Sequence, residues 1–85
     1  MRIDSLSLRV RVKTYGFIAQ KLGSRLELEL GEEATVKDLI SKLSEKLKGF
    51  DLTQEVVLVN GKAARQDYIL SDGDEVTIMP AVVGG

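Results

Sequence analysis

Residues 70–85 read LSDGDEVTIMPAVVGG and contain a turn, a strand and a tail in direct succession. Serine, aspartate and glycine at 71–74 are typical of a tight turn. Residues 75–79 alternate between polar and apolar side chains, which predicts a strand with Val76 and Ile78 on its buried face. This stretch decides the fold, because it places a core strand immediately before the end of the sequence.

The tail that follows this strand is expected to be extended. Pro80 has no backbone N–H for a sheet hydrogen bond, so we expect the strand to end there. Residues 80–85 then reach roughly 20 Å when extended. Gly84 and Gly85 lack a Cβ atom, which leaves the backbone flexible and the last carboxylate unhindered. We therefore expect the tail to enter a narrow site of another protein and the chemistry to take place on the Gly85 carboxylate.

The preceding sequence predicts the rest of an α+β domain. Residues 6–13 and 25–30 alternate strictly between apolar and polar types and predict two strands with one buried face each. The segment between them, 14–23, is too long for a tight hairpin and predicts a wide loop or a short helical turn. Residues 56–59 predict a strand, and the Asn-Gly pair that follows predicts a hairpin with a short return strand at 62–64.

One long helix is predicted between these strands. Thr35 is a suitable N-cap, and Asp38 places negative charge in the first turn. Gly49 is the expected C-terminal cap. The buried stripe follows helical spacing and comprises Val36, Leu39, Ile40, Leu43 and Leu47. One helix with one apolar stripe covers one face of a sheet, so we expect a single domain over 1–85 with the architecture of an α+β roll.

Composition excludes most conventional active sites. The chain of 85 residues contains no cysteine and no histidine, which excludes disulfides, thiolate metal sites and a histidine general base. Single scattered glycines form no phosphate-binding loop. The acidic turn at 72–75 lacks the spacing of a calcium loop, and we interpret it as a solvated turn rather than a metal site. We expect no bound cofactor and no metal.

The charge balance also limits the partners and the location. A formal net charge of −1 gives no reason to expect nucleic acid or an anionic membrane, and the helix lysines are interpreted as a solvated face. No apolar run approaches the roughly 20 residues that span a bilayer. We expect no signal peptide, because residues 1–5 contain Arg2 and Asp4 and no apolar segment. We expect a cytoplasmic protein.

A candidate docking surface lies on the other face of the last strand. Met79 points away from Val76 and Ile78, and the apolar Val82 and Val83 follow it in the tail. Together with Tyr15 these residues predict a patch for a partner protein. The alternative is that Met79 is one scattered apolar surface residue, which is common in soluble proteins.

Three stretches of this sequence resemble the MoaD/ThiS family of ubiquitin-like sulfur carriers, in particular its molybdopterin synthase small subunits. They are VKTYGFIAQKLG at 12–23, VNG at 59–61 and LSDGDEVTIMPAVVGG at 70–85. Ala81 stands where the family often has a second proline. Thr14 and Met79 stand where it often has phenylalanine.

This resemblance implies a β-grasp fold with four to five strands in a mixed sheet and one main helix. It also implies a cycle on Gly85. A partner related to the ubiquitin-activating enzymes uses magnesium and ATP to adenylate the carboxylate, and sulfur replaces AMP to give a thiocarboxylate. The tail, with Gly84 as its flexible link, then enters the large subunit of molybdopterin synthase and donates sulfur to a pterin precursor. The resemblance implies that Tyr15 and Met79 contact the large subunit, and we expect Pro80, Val82 and Val83 of the tail to contact partner proteins as well.

Other functions fit the same tail. The activated Gly85 carboxyl would equally serve a ubiquitin-like modifier that is joined to lysines of target proteins, or a sulfur carrier for thiamine or tRNA thiolation. A third interpretation is an interaction domain with an inert tail. In each case we expect no catalytic side chains in the chain itself, and as a carrier or modifier it would act as a substrate or a non-catalytic subunit.

Overall fold

The computed structural model describes residues 7–48, 52 and 55–79. Its elements, in chain order, are β1 (Ser7–Thr14), α1 (Gly16–Leu22), β2 (Arg25–Gly31), α2 (Val36–Lys46), β3 (Val56–Val59), β4 (Lys62–Ala63) and β5 (Glu75–Met79). The predicted tail residues Pro80, Val82, Val83, Gly84 and Gly85 lie outside the described residues, as does Leu6 at the start of the first predicted strand.

The five strands form one mixed sheet in the order β2-β1-β5-β3-β4. The central pair, β1 and β5, is parallel, and the other neighbouring pairs are antiparallel. The first and last strands of the chain are therefore neighbours in the middle of the sheet. This arrangement confirms the predicted α+β class, and β3 has the same bounds as its prediction. The return strand β4 is one residue shorter than predicted.

The core lies between one face of the sheet and α2. Alternation in the strands sends every second side chain inward, where Val10, Val12, Val76 and Ile78 are almost completely buried. The predicted helix stripe faces them and is buried except for Leu47, which is partly buried. Complete burial of one leucine, isoleucine or valine side chain stabilises the fold by roughly 1.5–3 kcal/mol. Leu52, in the connection between α2 and β3, also belongs to this core.

The ends of α2 follow different rules. At the start, the Asp38 N–H donates to Thr35 Oγ1 (3.3 Å) and the Thr35 N–H donates to Asp38 Oδ2 (2.9 Å), which is a complete capping box. At the other end the C-cap is Leu47, and Lys48 adopts the left-handed conformation with φ +61°. Gly49, which the sequence predicted as the cap, lies outside the described residues. The helix therefore ends without glycine at the C-cap.

The connection between β1 and β2 contains the short helix α1. Thr14 is buried, and its Oγ1 donates to the carbonyl of Gly23 at 2.7 Å, which closes the connection on itself. Ile18 anchors the helix in the core. The sequence left open a wide loop or a helical turn here, and the structure shows a helix of seven residues. Tyr15 precedes it with extended backbone angles, φ −137° and ψ 159°.

A polar turn, formed by Asn60 and residues 71–74, fixes the start of β5. Asp74 is 8% exposed, and its carboxylate accepts hydrogen bonds from Asn60 Nδ2 (2.9 Å) and from the Ser71 N–H (2.8 Å). The Asn60 side chain in turn accepts from the Glu75 N–H at 3.0 Å. Asp72 accepts from the Arg9 N–H of β1 at 2.8 Å. Through these hydrogen bonds the acidic side chains of the turn connect it to β1 and to Asn60, the residue that follows β3.

Candidate functional site

The outer face of the sheet, opposite α2, divides into two halves. On β1 and β2 the outward side chains are almost all charged. On β5 and β3 the register places Met79 opposite Val56 and Thr77 opposite Leu58. Because directly paired residues share a face of the sheet, these side chains form a continuous and mostly apolar surface.

Tyr15 extends this apolar surface past the end of β1. In the parallel pair of β1 and β5, Thr14 lies opposite Ile78. Tyr15 continues in an extended conformation, so the register carries it alongside Met79. Phe17 follows in the first turn of α1, and its ring lies 5.5 Å from Lys21 Nζ. The connection after β1 thus brings Tyr15 to the end of the sheet where β5 finishes.

We call Tyr15, Val56, Leu58 and Met79 the apolar patch. Tyr15 is 48% exposed, Val56 41% and Met79 38%, whereas Leu58 is partly buried. Large apolar side chains gathered on one face, with a charged surface beside them, mark sites of protein–protein contact. The patch includes the last described residue, Met79, from which residues 80–85 continue.

The structure brings together two of the predicted partner-binding residues, Tyr15 and Met79. Sequence reasoning missed Val56 and Leu58. Their signal was visible, because residues 56–59 read VVLV without a polar position, unlike β1 and β2. A strand that is apolar on both faces in a sheet covered by only one helix leaves one apolar face uncovered.

The described residues offer little chemistry of their own. Within the described ranges there is no group of three or more acidic, histidine or cysteine residues that could hold a metal. Both carboxylate oxygens of Asp74 are already occupied by hydrogen bonds. Desolvation raises the pKa of Glu55 above its ordinary value of 4.5.

No helix in this part of the chain is long and apolar enough to cross a membrane.

The fold and the patch together define a class of protein. A mixed sheet with parallel first and last strands at its centre, one long helix across one face and an apolar patch on the other is a β-grasp domain of the ubiquitin-like class. The profile of the ThiS family matches residues 12–85. The chain belongs to this family of ubiquitin-like sulfur carriers, and the predicted resemblance and β-grasp fold are confirmed.

Solved structures agree with this placement. A putative molybdopterin converting factor, subunit 1, from Pyrococcus furiosus is 31% identical, with a TM-score of 0.78 over 88% of this chain and 99% of that one. A complex of subunits 1 and 2 of the molybdopterin-converting factor from Helicobacter pylori matches at 25% identity and a TM-score of 0.63, over 92% and 100%. The small archaeal modifier protein 1 of H. volcanii shares the fold at 22% identity and a TM-score of 0.78, over 88% and 99%.

Proposed function

We propose that this chain is the small, sulfur-carrying subunit of a molybdopterin synthase. In this proposal the Gly85 carboxylate is adenylated, converted to a thiocarboxylate and used as the sulfur donor for a pterin precursor. The observation that carries the proposal is the family membership together with the similarity to subunit 1 of a molybdopterin converting factor. The cytoplasm is the proposed location.

The chemistry explains why the chain needs no catalytic side chain. A carboxylate is a poor electrophile. Attack of a Gly85 oxygen on the α-phosphorus of ATP displaces pyrophosphate and forms an acyl adenylate, whose AMP is a good leaving group. A sulfur nucleophile from a donor then displaces AMP. The activating partner binds ATP and magnesium, so the absence of cysteine and histidine from the sequence is compatible with this role.

The apolar patch supplies the contact with the partners. A partner that covers Tyr15 and Met79 lies over the end of β5, where residues 80–85 begin, so docking and delivery of the tail occur at the same end of the sheet. The H. pylori structure supports a two-subunit assembly, since its subunit 1 is in complex with a subunit 2. We propose that Pro80, Val82 and Val83 line the path of the tail into the partner and that Gly84 keeps it flexible.

The test uses the activating enzyme and the large synthase subunit encoded in the same genome as this chain. The chain is incubated with activating enzyme, magnesium-ATP and a sulfur donor, and its intact mass is measured. Replacement of one oxygen by sulfur is the expected result. Deletion of Gly85 should abolish the reaction while the circular dichroism spectrum and the melting temperature stay unchanged.

The acceptor is then determined separately. Thiocarboxylated chain is mixed with the large subunit and a pterin precursor, and a sulfur-containing pterin product is expected together with hydrolytic return of Gly85 to a carboxylate, one sulfur atom being transferred per chain consumed. Isopeptide-linked Gly-Gly remnants on cellular proteins, without that product, would favour a protein modifier instead. Failure to form any adenylate or thiocarboxylate would overturn the proposal, and unchanged function after deletion of Gly85 would indicate an inert tail.

A further inference from the structure

A groove of about 340 Å³ crosses the charged half of the outer face. It runs over β2, β1 and the start of β5. Its lining contains three cationic and two carboxylate residues, together with Val12 and Leu26; the charged residues are Arg11, Lys13, Arg25, Glu27 and Glu75. Positive charge therefore exceeds negative charge in the groove, although the chain as a whole has a net charge of −1.

The excess positive charge arises at one position of the strand register. Two pairs across β1 and β2 combine opposite charges: Arg9 with Glu29, and Arg11 with Glu27. The last pair joins Lys13 and Arg25, which are both cationic. The Thr14 N–H donates to the Ser24 carbonyl at 3.0 Å, so the neighbouring Lys13–Arg25 pair is the non-hydrogen-bonded type, in which side chains are closest. Like charges directly opposite each other are destabilising.

Only one of these two cations has an opposite charge in contact. Lys13 Nζ lies 3.6 Å from a carboxylate oxygen of Glu75. By the register, Glu27 faces Arg11. Among the residues that the structure describes, no carboxylate lies within ion-pair distance of the Arg25 guanidinium. Among the same described residues Arg11 has no carboxylate within that distance either, but the register places Glu27 opposite it. Arg25 is the arginine of the groove that lies opposite a second cation, and it is exposed.

The groove adjoins the apolar patch. Lys13 is opposite Thr77 on β5, and the patch residues Tyr15 and Met79 are two positions further along the same strands. A partner that covers the patch therefore also covers this end of the groove and removes water from Arg25. An unpaired charge that loses its water is strongly unfavourable, whereas a carboxylate placed against a guanidinium forms charge-assisted, bidentate hydrogen bonds.

We propose that the groove is a specificity site in which Arg25 binds a carboxylate side chain of the partner protein docked on the apolar patch. The partner presents at least one aspartate or glutamate beside its own apolar contact surface. Charge complementarity selects such a partner over one that offers only an apolar surface. This inference rests on the proposed function, because that function supplies the docked partner.

The test measures adenylation kinetics of four forms of the full chain with the activating enzyme of the same genome, and binding of each form to the large synthase subunit by calorimetry. The forms are wild type, R25E, R25K and R65E. Arg65 is a matched control, since its side chain is 91% exposed and its one ion pair among the described residues is a contact of 4.0 Å with Asp67. Both reversals change the net charge equally.

We expect R25E to raise KM or Kd for at least one partner about tenfold with kcat unchanged, and R65E to have little effect. R25K retains the charge and should restore most of the affinity. The melting temperature of R25E should equal or exceed that of wild type, because the carboxylate introduced by this substitution would face Lys13 with opposite charge. Raising the salt concentration should weaken wild type more than R25E.

Each other outcome has a distinct meaning. Equal effects of R25E and R65E on both partners, with wild type fully active, would overturn the specificity site and leave the proposed function intact. A lowered melting temperature of R25E with unchanged KM and Kd would assign Arg25 a structural role and would also overturn it. Absence of both adenylation and binding in wild type would refute the proposed function, and the specificity site would fall with it.

Discussion

The side chains at the two ends of β5 differ in whether they have interaction partners within the described part of the molecule. At its start, the polar turn occupies both oxygens of Asp74 and both polar groups of the Asn60 side chain with hydrogen bonds inside the molecule. At its end, Met79 and its neighbours Tyr15 and Val56 are exposed and contribute little to the core. The same short strand therefore connects a region built for stability to a region left open for contact.

This difference indicates that the start of β5 contributes to stability and that its end is available for contact with a partner. A rigid start fixes the direction of β5 against β1, because the Arg11 N–H donates to the Asp74 carbonyl (3.0 Å) and the Gly73 N–H donates to the Arg9 carbonyl (2.8 Å). The end of the strand can then present Met79 and residues 80–85 in a defined direction. Mutations at the two ends should separate stability from function.

The largest effect is expected at the polar turn. Asp74→Ala leaves the amide of Asn60 and the N–H of Ser71 without their partner, so we expect the free energy of unfolding to fall by about 3 kcal/mol. Urea denaturation measures this change. KM for adenylation, measured where the variant is folded, should stay close to the wild-type value. The control is D67A, because the Asp67 side chain is 84% exposed and should matter little. Equal destabilisation by both variants would contradict the structural role of Asp74.

The second largest effect is expected at the apolar patch, where a substitution should weaken partner binding and leave stability nearly unchanged. Met79→Glu places a charge where a docked partner would exclude water. We therefore expect KM for adenylation or Kd for the large subunit to rise about tenfold or more. Stability should change by no more than about 0.5 kcal/mol, because the side chain is already exposed. Ile69→Glu is the matched control, since Ile69 is 58% exposed but lies outside the patch. Comparable losses in both variants would show that the patch has no special role in docking.

The smallest effect concerns Glu55, which precedes Val56 of the patch. Desolvation raises the pKa of this carboxyl in the folded state above 4.5, so folding favours its protonated form. Its contribution to stability is therefore present below pH 4.5 and is lost as pH rises through the folded-state pKa. Glu55→Gln should remove this part of the pH dependence of the unfolding free energy. Denaturation of wild type and variant on both sides of the window measures it, and the same change in the exposed-site control E32Q would contradict the assignment.

Much of the fold was predictable because the local sequence signals and the burial of the side chains indicate the same elements. Strict alternation defined β1, β2 and β5, and the capping residues Thr35 and Asp38 defined the start of α2. The C-terminal end of that helix was not predictable in the same way. The C-cap is Leu47, and the left-handed position after it is taken by Lys48, although glycine is the usual residue at that position.

The candidate site was predicted only in part. Tyr15 and Met79 were identified from their positions, whereas Val56 and Leu58 were not, since an all-apolar run does not tell which of its residues face the helix. The position of Arg25 opposite a second cation could not be found either. Its cationic neighbour Lys13 is separated from it by the whole connection through α1, and only the register of β1 with β2 places the two together.

The sequence by itself determined the five strands and α2, the inward face of β1, β2 and β5, the stripe of α2 and the lack of histidine and cysteine chemistry. These follow from side-chain periodicity and composition, which are local properties. The tertiary structure decided which outward residues meet: Met79 with Tyr15 and Val56, and Lys13 with Arg25. Strand order and register govern those meetings, and they arise from packing of the whole sheet against α2 rather than from any one segment.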